Sequence, residues 1–151
     1  IELDAERSAE AVRNISEAGY SDDMEIRCAD AADVLEELVR KEGQEEAERF
    51  DMVFLDGPKG QYLQYLPYIE KLVREGGVLI ADNLLKEGEI LRSRYAVTRR
   101  NRTIHQRMRE FITQMTHSKR WQTLLIGDGD GMMAAVRKPD PEENTDTDRT
   151  V

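Results

Sequence analysis

The chain has little cysteine and no long apolar stretch. Cys28 is its single cysteine among 151 residues, so no internal disulfide can form, which is typical of a protein from a reducing cytoplasm. No apolar run approaches the roughly 20 residues that a membrane helix needs. Aromatic residues make up only 6% of the chain, whereas 39% is hydrophobic and 35% is charged. These proportions argue against a membrane protein or a disulfide-stabilised miniprotein, and they favour one cytoplasmic globular domain with a single core.

Acidic residues outnumber basic ones overall, but arginines are concentrated in one region. The net charge is -9, so the chain as a whole should repel phosphate backbones. The last stretch, from Pro139 to Val151, is acidic and polar, and we expect it to be a disordered tail. Seven arginines nevertheless cluster between residues 92 and 109: Arg92, Arg94, Arg99, Arg100, Arg102, Arg107 and Arg109.

Short apolar runs alternate with helical patterns, which predicts an α/β fold with a mainly parallel sheet. We expect a linker from Leu84 to about Thr98. The Gly/Asp link at 127–131 is so short that the last two strands should form an antiparallel hairpin. The predicted strands are 1–3, 24–28, 50–55, 78–81, 122–126 and 132–137, and the predicted helices are 5–18, 31–41, 65–74 and one after residue 98.

The spacing of apolar residues also predicts which side chains are buried. Asp4 should cap the first helix, and the run Phe50–Leu55 is the best candidate for a buried strand. Trp121 should pack in the core, whereas His105 and His117 are expected at the surface. The helix after residue 98 should bury one apolar stripe: Ile104, Met108, Phe111, Ile112 and Met115.

Carboxylates lie at or just after the ends of the first four predicted strands. In open parallel sheets, ligands bind at the carboxyl ends of the strands, so these groups should converge on one cleft. Any one of them could instead be a helix N-cap. Two of these carboxylates, Asp56 and Asp82, together with the amide of the neighbouring Asn83, offer oxygen atoms as ligands. Such an all-oxygen set is what Mg²⁺, Mn²⁺ or Ca²⁺ prefers. The full set is Glu2, Asp30, Asp56 and the pair Asp82-Asn83.

Lys59 follows Asp56 by three residues in the sequence DGPKGQY. Gly57, Pro58 and Gly60 indicate a shaped loop here and not a helix. A lysine beside a cleft and a metal can act as a general base. The residues alone leave open the alternative that Lys59 is an ordinary solvent-exposed lysine.

The stretch FDMVFLDGPKGQYLQYLPYIEKLVREGGVLIADNLLKEGEI resembles the core signature of the cation-dependent O-methyltransferases, such as the catechol and caffeoyl-coenzyme A enzymes. The shared pattern is a strand ending in Asp, a Lys three residues later, a Tyr-containing helix, Gly-Gly, an apolar strand and Asp-Asn. The resemblance covers residues 1–138 and implies a Rossmann-like class I methyltransferase fold. We expect this chain to be its C-terminal two-thirds, because the family's glycine-rich loop should precede Ile1.

The resemblance also implies roles for individual residues. The cofactor would be S-adenosylmethionine, with Mg²⁺, Mn²⁺ or Ca²⁺ as the metal. Lys59 would be the catalytic base. The metal ligands would be Asp56, Asp82 and Asn83, and the cofactor contacts would be Glu2 at the ribose, Asp30 and Ala31 at the adenine, and Asp56.

The substrate is suggested by the region after residue 97. The order RRNR, amphipathic helix and WQTLLIGDGDGMMAAVRK is similar to the bacterial branch that methylates 5-hydroxyuridine in tRNA. That resemblance predicts tRNA as the partner, with Arg99, Arg100 and Arg102 contacting RNA. A small phenol or vicinal diol is the alternative substrate, and a non-catalytic fragment or interaction domain is the alternative function. The sequence leaves a homodimer open.

Overall fold

The structure is a computed structural model that describes residues 1–41, 49–85, 90, 93, 95 and 97–140. These residues belong to two compact units, one of Ile1–Arg49 with Gln64–Leu72 and the other of Phe50–Leu63 with Val73–Val151. No described helix is both long and apolar enough to cross a membrane. Most of the predicted acidic tail lies outside the described residues, as do parts of the predicted linker.

The first unit contains helices α1 (Ala5–Glu17) and α2 (Ala31–Lys41), close to their predicted bounds. The carboxylate of Asp4 accepts hydrogen bonds from the backbone N–H groups of Glu6 and Arg7, which confirms the predicted N-cap. The predicted strands 1–3 and 24–28 are wrong as strands. The two segments pair through one parallel bridge, between Glu2 and Cys28, and no other residues of these two described segments pair.

The second unit contains a four-stranded sheet in the order β1-β2-β4-β3. Its strands are β1 (Phe50–Leu55), β2 (Val73–Ala81), β3 (Trp121–Ile126) and β4 (Met132–Arg137). The pair β1/β2 is parallel, whereas β4 runs antiparallel to both β2 and β3, which confirms the predicted terminal hairpin.

Helix α3 (Tyr62–Leu72) precedes β2 and differs from its prediction at both ends. It begins earlier, because a 3₁₀ turn at Lys59–Gln61 leads directly into it. It also ends earlier, because β2 already starts at Val73. Gly76 and Gly77 therefore lie within β2 and do not terminate a helix. A side chain at Gly77 would meet Cγ1 of Val73 at 2.7 Å, so the strand needs glycine there.

The two faces of the sheet differ in burial. Leu55, Ala81 and Met133 lie in one row across β1, β2 and β4, and all three are buried. In the neighbouring row, Phe54 and Leu124 are exposed at 56% and 63%. The prediction that Phe50–Leu55 is a buried strand is therefore wrong. Strand β1 lies at an edge of the sheet, and only its last residue is buried.

Helix α4 (Arg102–Thr116) follows a 3₁₀ turn at Arg99–Asn101 and contacts β3. Its buried residues are His105, Met108, Phe111 and Met115. The predicted surface position of His105 is wrong, since its spacing of one turn from Met108 places it on the buried face. Ile104, predicted to be buried, is 45% exposed. Trp121, as predicted, lies in the core, and His117 is exposed.

The Gly/Asp link between β3 and β4 is joined to the segment that follows β2. Leu84 and Leu85 donate backbone hydrogen bonds to the carbonyl groups of Gly131 and Asp130, at 2.8 and 2.7 Å. Gly131 has a φ of 74°, and a Cβ atom there would lie 2.3 Å from Cγ of Leu85. Glycine is therefore required both for the turn and for the close approach. This attachment holds the chain immediately after Asp82-Asn83.

Candidate active site

The ends of β1 and β2 place the predicted metal ligands at the same edge of the sheet. Leu55 and Ala81 are register partners in the parallel pair. The backbone N–H of Asp82 then donates to the carbonyl of Leu55 at 3.1 Å. Asp56 and Asp82 each follow one of these two paired residues, so their chain positions are neighbours across the sheet. The predicted neighbouring positions of Asp56 and Asp82 at the strand ends are confirmed, whereas the role of Asp56, Asp82 and Asn83 as metal ligands stays a prediction.

Asn83 has an unusual backbone conformation that turns it back onto Asp82. Its φ is 54°, and among the described residues it is the one non-glycine with a positive φ. Its backbone N–H and its side-chain amide donate to the two carboxylate oxygens of Asp82 at 2.7 and 3.1 Å. Asparagine tolerates this left-handed conformation better than most residues do. Because the side-chain amide nitrogen bonds to the carboxylate, the amide oxygen is the atom of Asn83 that could act as a ligand for a cation.

The donor set at this edge fits a hard divalent cation. Asp56 and Asp82 supply carboxylate oxygens and Asn83 supplies an amide oxygen, which is the chemistry that Mg²⁺ prefers. In the part of the chain that the structure describes, no group of three His, Cys, Asp or Glu side chains could hold a metal ion. A metal site here therefore depends on the amide of Asn83 as the third protein ligand.

Lys59 is directed at both strand ends. It lies in the 3₁₀ turn, which corrects the prediction of a non-helical loop. Its ammonium nitrogen donates to Oδ1 of Asp56 at 3.2 Å and to the backbone carbonyl of Asp82 at 2.9 Å. Its side chain is 24% exposed. Lys59 is therefore not an ordinary solvent-exposed lysine, because these contacts hold it beside the candidate metal ligands.

Tyr62 is a third contact of Lys59, and the sequence interpretation did not single it out. Its hydroxyl oxygen lies 2.8 Å from Nζ of Lys59 and donates to the carbonyl of Leu55 at 3.0 Å. Its ring is fully buried and packs edge-on against Phe111, with centroids 5.4 Å apart. Burial raises the pKa of the Tyr62 hydroxyl, and the hydrogen bond from Lys59 opposes that shift only in part. The spacing of three residues from Lys59 was the signal that could have identified it.

The arginine cluster divides into two kinds of residue. Three arginines make hydrogen bonds to backbone carbonyl groups: Arg102 to Val97, Arg107 to Gly60 and Arg109 to Ile90, at 3.3, 3.0 and 3.3 Å. The bond from Arg107 joins α4 to the turn that carries Lys59. Arg99 and Arg100, in contrast, are exposed in the turn before α4. Arg92 and Arg94 lie outside the described residues.

The predicted cofactor contacts Glu2, Asp30 and Ala31 all belong to the first unit. The backbone of Glu2 bonds to Arg27 and Ala29, which places Glu2 beside the segment that leads to Asp30. Oδ1 of Asp30 accepts from the N–H of Ala32 at 2.8 Å, so Asp30 also satisfies the first turn of α2. Their roles at the ribose and adenine, like that of Asp56, stay predictions.

Comparison with known proteins identifies the family. A family model described as O-methyltransferase matches residues 1–138. The chain belongs to the O-methyltransferase family. A catechol O-methyltransferase of Niastella koreensis is 36% identical over 91 residues, which are 60% of this chain and 39% of that protein. Tapetum-specific methyltransferase 1 of Arabidopsis thaliana is 28% identical over 82% of this chain and 51% of its own length.

Solved structures confirm the Rossmann-like class I methyltransferase fold. The O-methyltransferase from Bacillus cereus in complex with SAH matches 91% of this chain with a TM-score of 0.77 and 28% sequence identity. TomG from Streptomyces achromogenes, solved with SAM, matches in fold with a TM-score of 0.76. This O-methyltransferase chain spans 60% of the length of each of these two structures and 39% of the Niastella koreensis protein.

Proposed function

We propose that this protein transfers a methyl group from S-adenosylmethionine to a hydroxyl that has a second oxygen beside it, with a divalent cation bound at the same site. The observation that carries the proposal is the position of Lys59. Its ammonium lies within hydrogen-bond distance of Asp56 and of the backbone of Asp82, at the adjacent ends of two parallel strands. Membership of the O-methyltransferase family supports methyl transfer as the reaction.

In this proposal Asp56, Asp82 and Asn83 hold Mg²⁺, with Mn²⁺ or Ca²⁺ as alternatives. The bonds from Asn83 to both oxygens of the Asp82 carboxylate keep the two side chains together at the end of β2. A bound cation would stabilise the negative charge that develops on the substrate oxygen during proton loss. Two adjacent substrate oxygens would approach it together, which explains the preference for a hydroxyl with an oxygen neighbour.

Lys59, in its uncharged amine form, takes the proton from the substrate hydroxyl and becomes an ammonium. The oxygen then attacks the methyl carbon of S-adenosylmethionine, so that a C–O bond forms as the S–CH₃ bond breaks and S-adenosylhomocysteine leaves. Glu2 would bind the ribose hydroxyls, and Asp30 with Ala31 would contact the adenine. Holding the hydroxyl and the methyl group in line supplies much of the rate gain, since positioning removes the entropic cost of bringing two reactants together.

A small catechol-type phenol is the substrate that we favour. Relatives of this chain carry the names catechol O-methyltransferase and caffeoyl-CoA O-methyltransferase. The structure also weakens the argument from the arginine cluster, because Arg102, Arg107 and Arg109 bond to backbone carbonyl groups. Those three arginines have a structural reason to be present that does not involve phosphate.

The second candidate substrate is 5-hydroxyuridine in tRNA, and the exposure of Arg99 and Arg100 favours it. Its hydroxyl lies next to the O4 carbonyl, so it offers the same pair of adjacent oxygens as a catechol. Two exposed arginines in the turn before α4 would contact phosphate groups of the RNA.

The double variant Arg99→Gln/Arg100→Gln separates the two substrates. With catechol we expect the rate to equal that of the wild type, because neither side chain is buried. If tRNA is the substrate, its methylation should fall, and the slope of log affinity against log salt should decrease by roughly two, one unit for each lost phosphate contact. Initial rates and binding across a salt series measure both quantities.

The matched control is Arg13→Gln/Lys119→Gln, which removes the same charge from exposed positions in α1 and after α4. Arg102 is retained because its guanidinium group bonds to Val97. Equal losses on catechol and tRNA in the Arg99/Arg100 variant would show that these arginines support the fold and would remove the RNA interpretation.

A further inference from the structure

We propose that Tyr62 is a positioning residue whose hydroxyl fixes the direction of the Lys59 amine. The inference rests on the proposed role of Lys59 as the base. The geometry that carries it is a chain of two hydrogen bonds, from Nζ of Lys59 to the phenol oxygen of Tyr62 and from the phenol to the carbonyl of Leu55.

The donors and acceptors in this chain can be arranged in one way only. A phenol has a single hydrogen, and the carbonyl of Leu55 can only accept. The hydroxyl of Tyr62 therefore donates its one hydrogen to Leu55, so the hydrogen in its bond with Lys59 must come from Lys59. The distances of 3.0 and 2.8 Å are those of well-formed bonds. The lone pair of the phenol oxygen thus defines where one N–H bond of Lys59 points.

Tyr62 is itself held firmly, which makes it a suitable reference for a flexible side chain. Its ring is fully buried against Phe111, and its hydroxyl is bonded to the last residue of β1. Asp56 follows that residue directly. Lys59 is therefore aligned relative to the strand that carries Asp56, although a lysine stem has several rotatable bonds of its own.

The local backbone brings the two side chains together. Side chains three residues apart eclipse in a 3₁₀ turn, and Lys59–Gln61 forms such a turn immediately before α3 begins at Tyr62. The bond from Arg107 to the carbonyl of Gly60 fixes the middle of this turn to α4.

The other contacts of Lys59 show what the alignment achieves. Two of its three acceptors, the phenol of Tyr62 and the carbonyl of Asp82, are uncharged and partly or fully buried. Once both hold an N–H bond, tetrahedral geometry directs a remaining position of the nitrogen towards the carboxylate of Asp56. A substrate hydroxyl bound to a cation that Asp56 holds would lie on that same side of Lys59.

The test is Tyr62→Phe, which removes the hydroxyl and keeps the ring that packs on Phe111. We expect kcat to fall roughly 10- to 100-fold, the range for misplacing a catalytic group by about 1 Å, while KM and the Kd of S-adenosylmethionine stay near those of the wild type. Tyr65→Phe is the matched control, because it removes a buried hydroxyl one turn further along α3. An unchanged kcat in Tyr62→Phe would overturn the proposal.

The same change in a Lys59→Met background distinguishes positioning from a general effect on folding. We expect Tyr62→Phe to cause no further loss there, because the group that it positions is already gone. An equal loss in both backgrounds would assign Tyr62 a purely structural role and overturn the proposal.

A second readout does not depend on methyl transfer. Acetic anhydride labelling, followed residue by residue with mass spectrometry, should modify Lys59 roughly 3- to 10-fold faster in Tyr62→Phe, the ratio that corresponds to one lost hydrogen bond. Lys71 and Lys119 serve as internal references, and Tyr65→Phe should leave the labelling of Lys59 unchanged. Unaltered labelling of Lys59 in Tyr62→Phe would overturn the proposal. If Lys59→Met alone left methyl transfer intact, the assignment of Lys59 as the base would be wrong. The labelling would still test whether the hydroxyl of Tyr62 holds the Lys59 amine.

Discussion

Replacing Asp82 with alanine should abolish methyl transfer, with a loss of at least about 10²- to 10³-fold, the scale for removing one stabilising group from a developing negative charge. The carboxylate has two roles in the structure. It is a candidate metal ligand, and it accepts both hydrogen bonds that hold Asn83 in its left-handed conformation. The variant therefore removes one ligand and releases a second. Rates of methyl transfer to catechol at saturating Mg²⁺ measure the loss.

Two further variants make this result interpretable. Asp82→Asn keeps a side-chain oxygen and the approximate shape of the residue, so it should retain the fold and still lose most of the activity and the binding of Mn²⁺ in calorimetry. Asp23→Ala removes a carboxylate from an exposed turn and should behave as the wild type. Near-normal activity of Asp82→Ala would remove this carboxylate from the mechanism.

Replacing Lys59 with methionine should lower kcat about 10²- to 10⁴-fold, the range that general base catalysis contributes. The Kd of S-adenosylmethionine should change little, because Lys59 itself is not among the proposed cofactor contacts, which are Glu2, Asp30, Ala31 and Asp56. The deficit should narrow as the pH rises, since the substrate hydroxyl then ionises without help. Single-turnover rates over a pH series measure this dependence.

The control for Lys59→Met is Lys119→Met, an exposed position beyond the end of α4. Lys59→Arg adds a second comparison, because arginine retains a positive charge beside Asp56 but does not deprotonate in proteins. We expect Lys59→Arg to be as slow as Lys59→Met. A rate at neutral pH equal to that of the wild type in either variant would contradict the assignment of Lys59 as the base.

The neighbouring positions of the candidate metal ligands Asp56 and Asp82 could be predicted from the sequence because they depend on strand ends alone. Two apolar runs, each followed by an aspartate, predict neighbouring parallel strands, and the register of Leu55 with Ala81 then brings Asp56 and Asp82 together. The left-handed conformation of Asn83 could not be predicted, since it arises from bonds to the preceding side chain.

Other features depend on packing, which a pattern of apolar residues does not determine. The run at 50–55 indicated a strand correctly, but its burial depends on what covers each face of the sheet. His105 shares the buried face of α4 although its chemistry suggested the surface. The sequence indicated a loop at Gly57, Pro58 and Gly60, whereas the structure has a 3₁₀ turn at Lys59–Gln61. The contact between Tyr62 and Lys59, which follows from this turn, was therefore not predicted.

The most direct test of cation-dependent transfer to a hydroxyl with an oxygen neighbour compares catechol with phenol, using S-adenosylmethionine labelled in its methyl group. The proposed site predicts that the protein methylates catechol in the presence of Mg²⁺, loses this activity in excess chelator and regains it when Mg²⁺ is restored. Phenol, which lacks the second oxygen, should react far more slowly. Full activity in excess chelator, or equal rates with phenol and catechol, would contradict the proposed function.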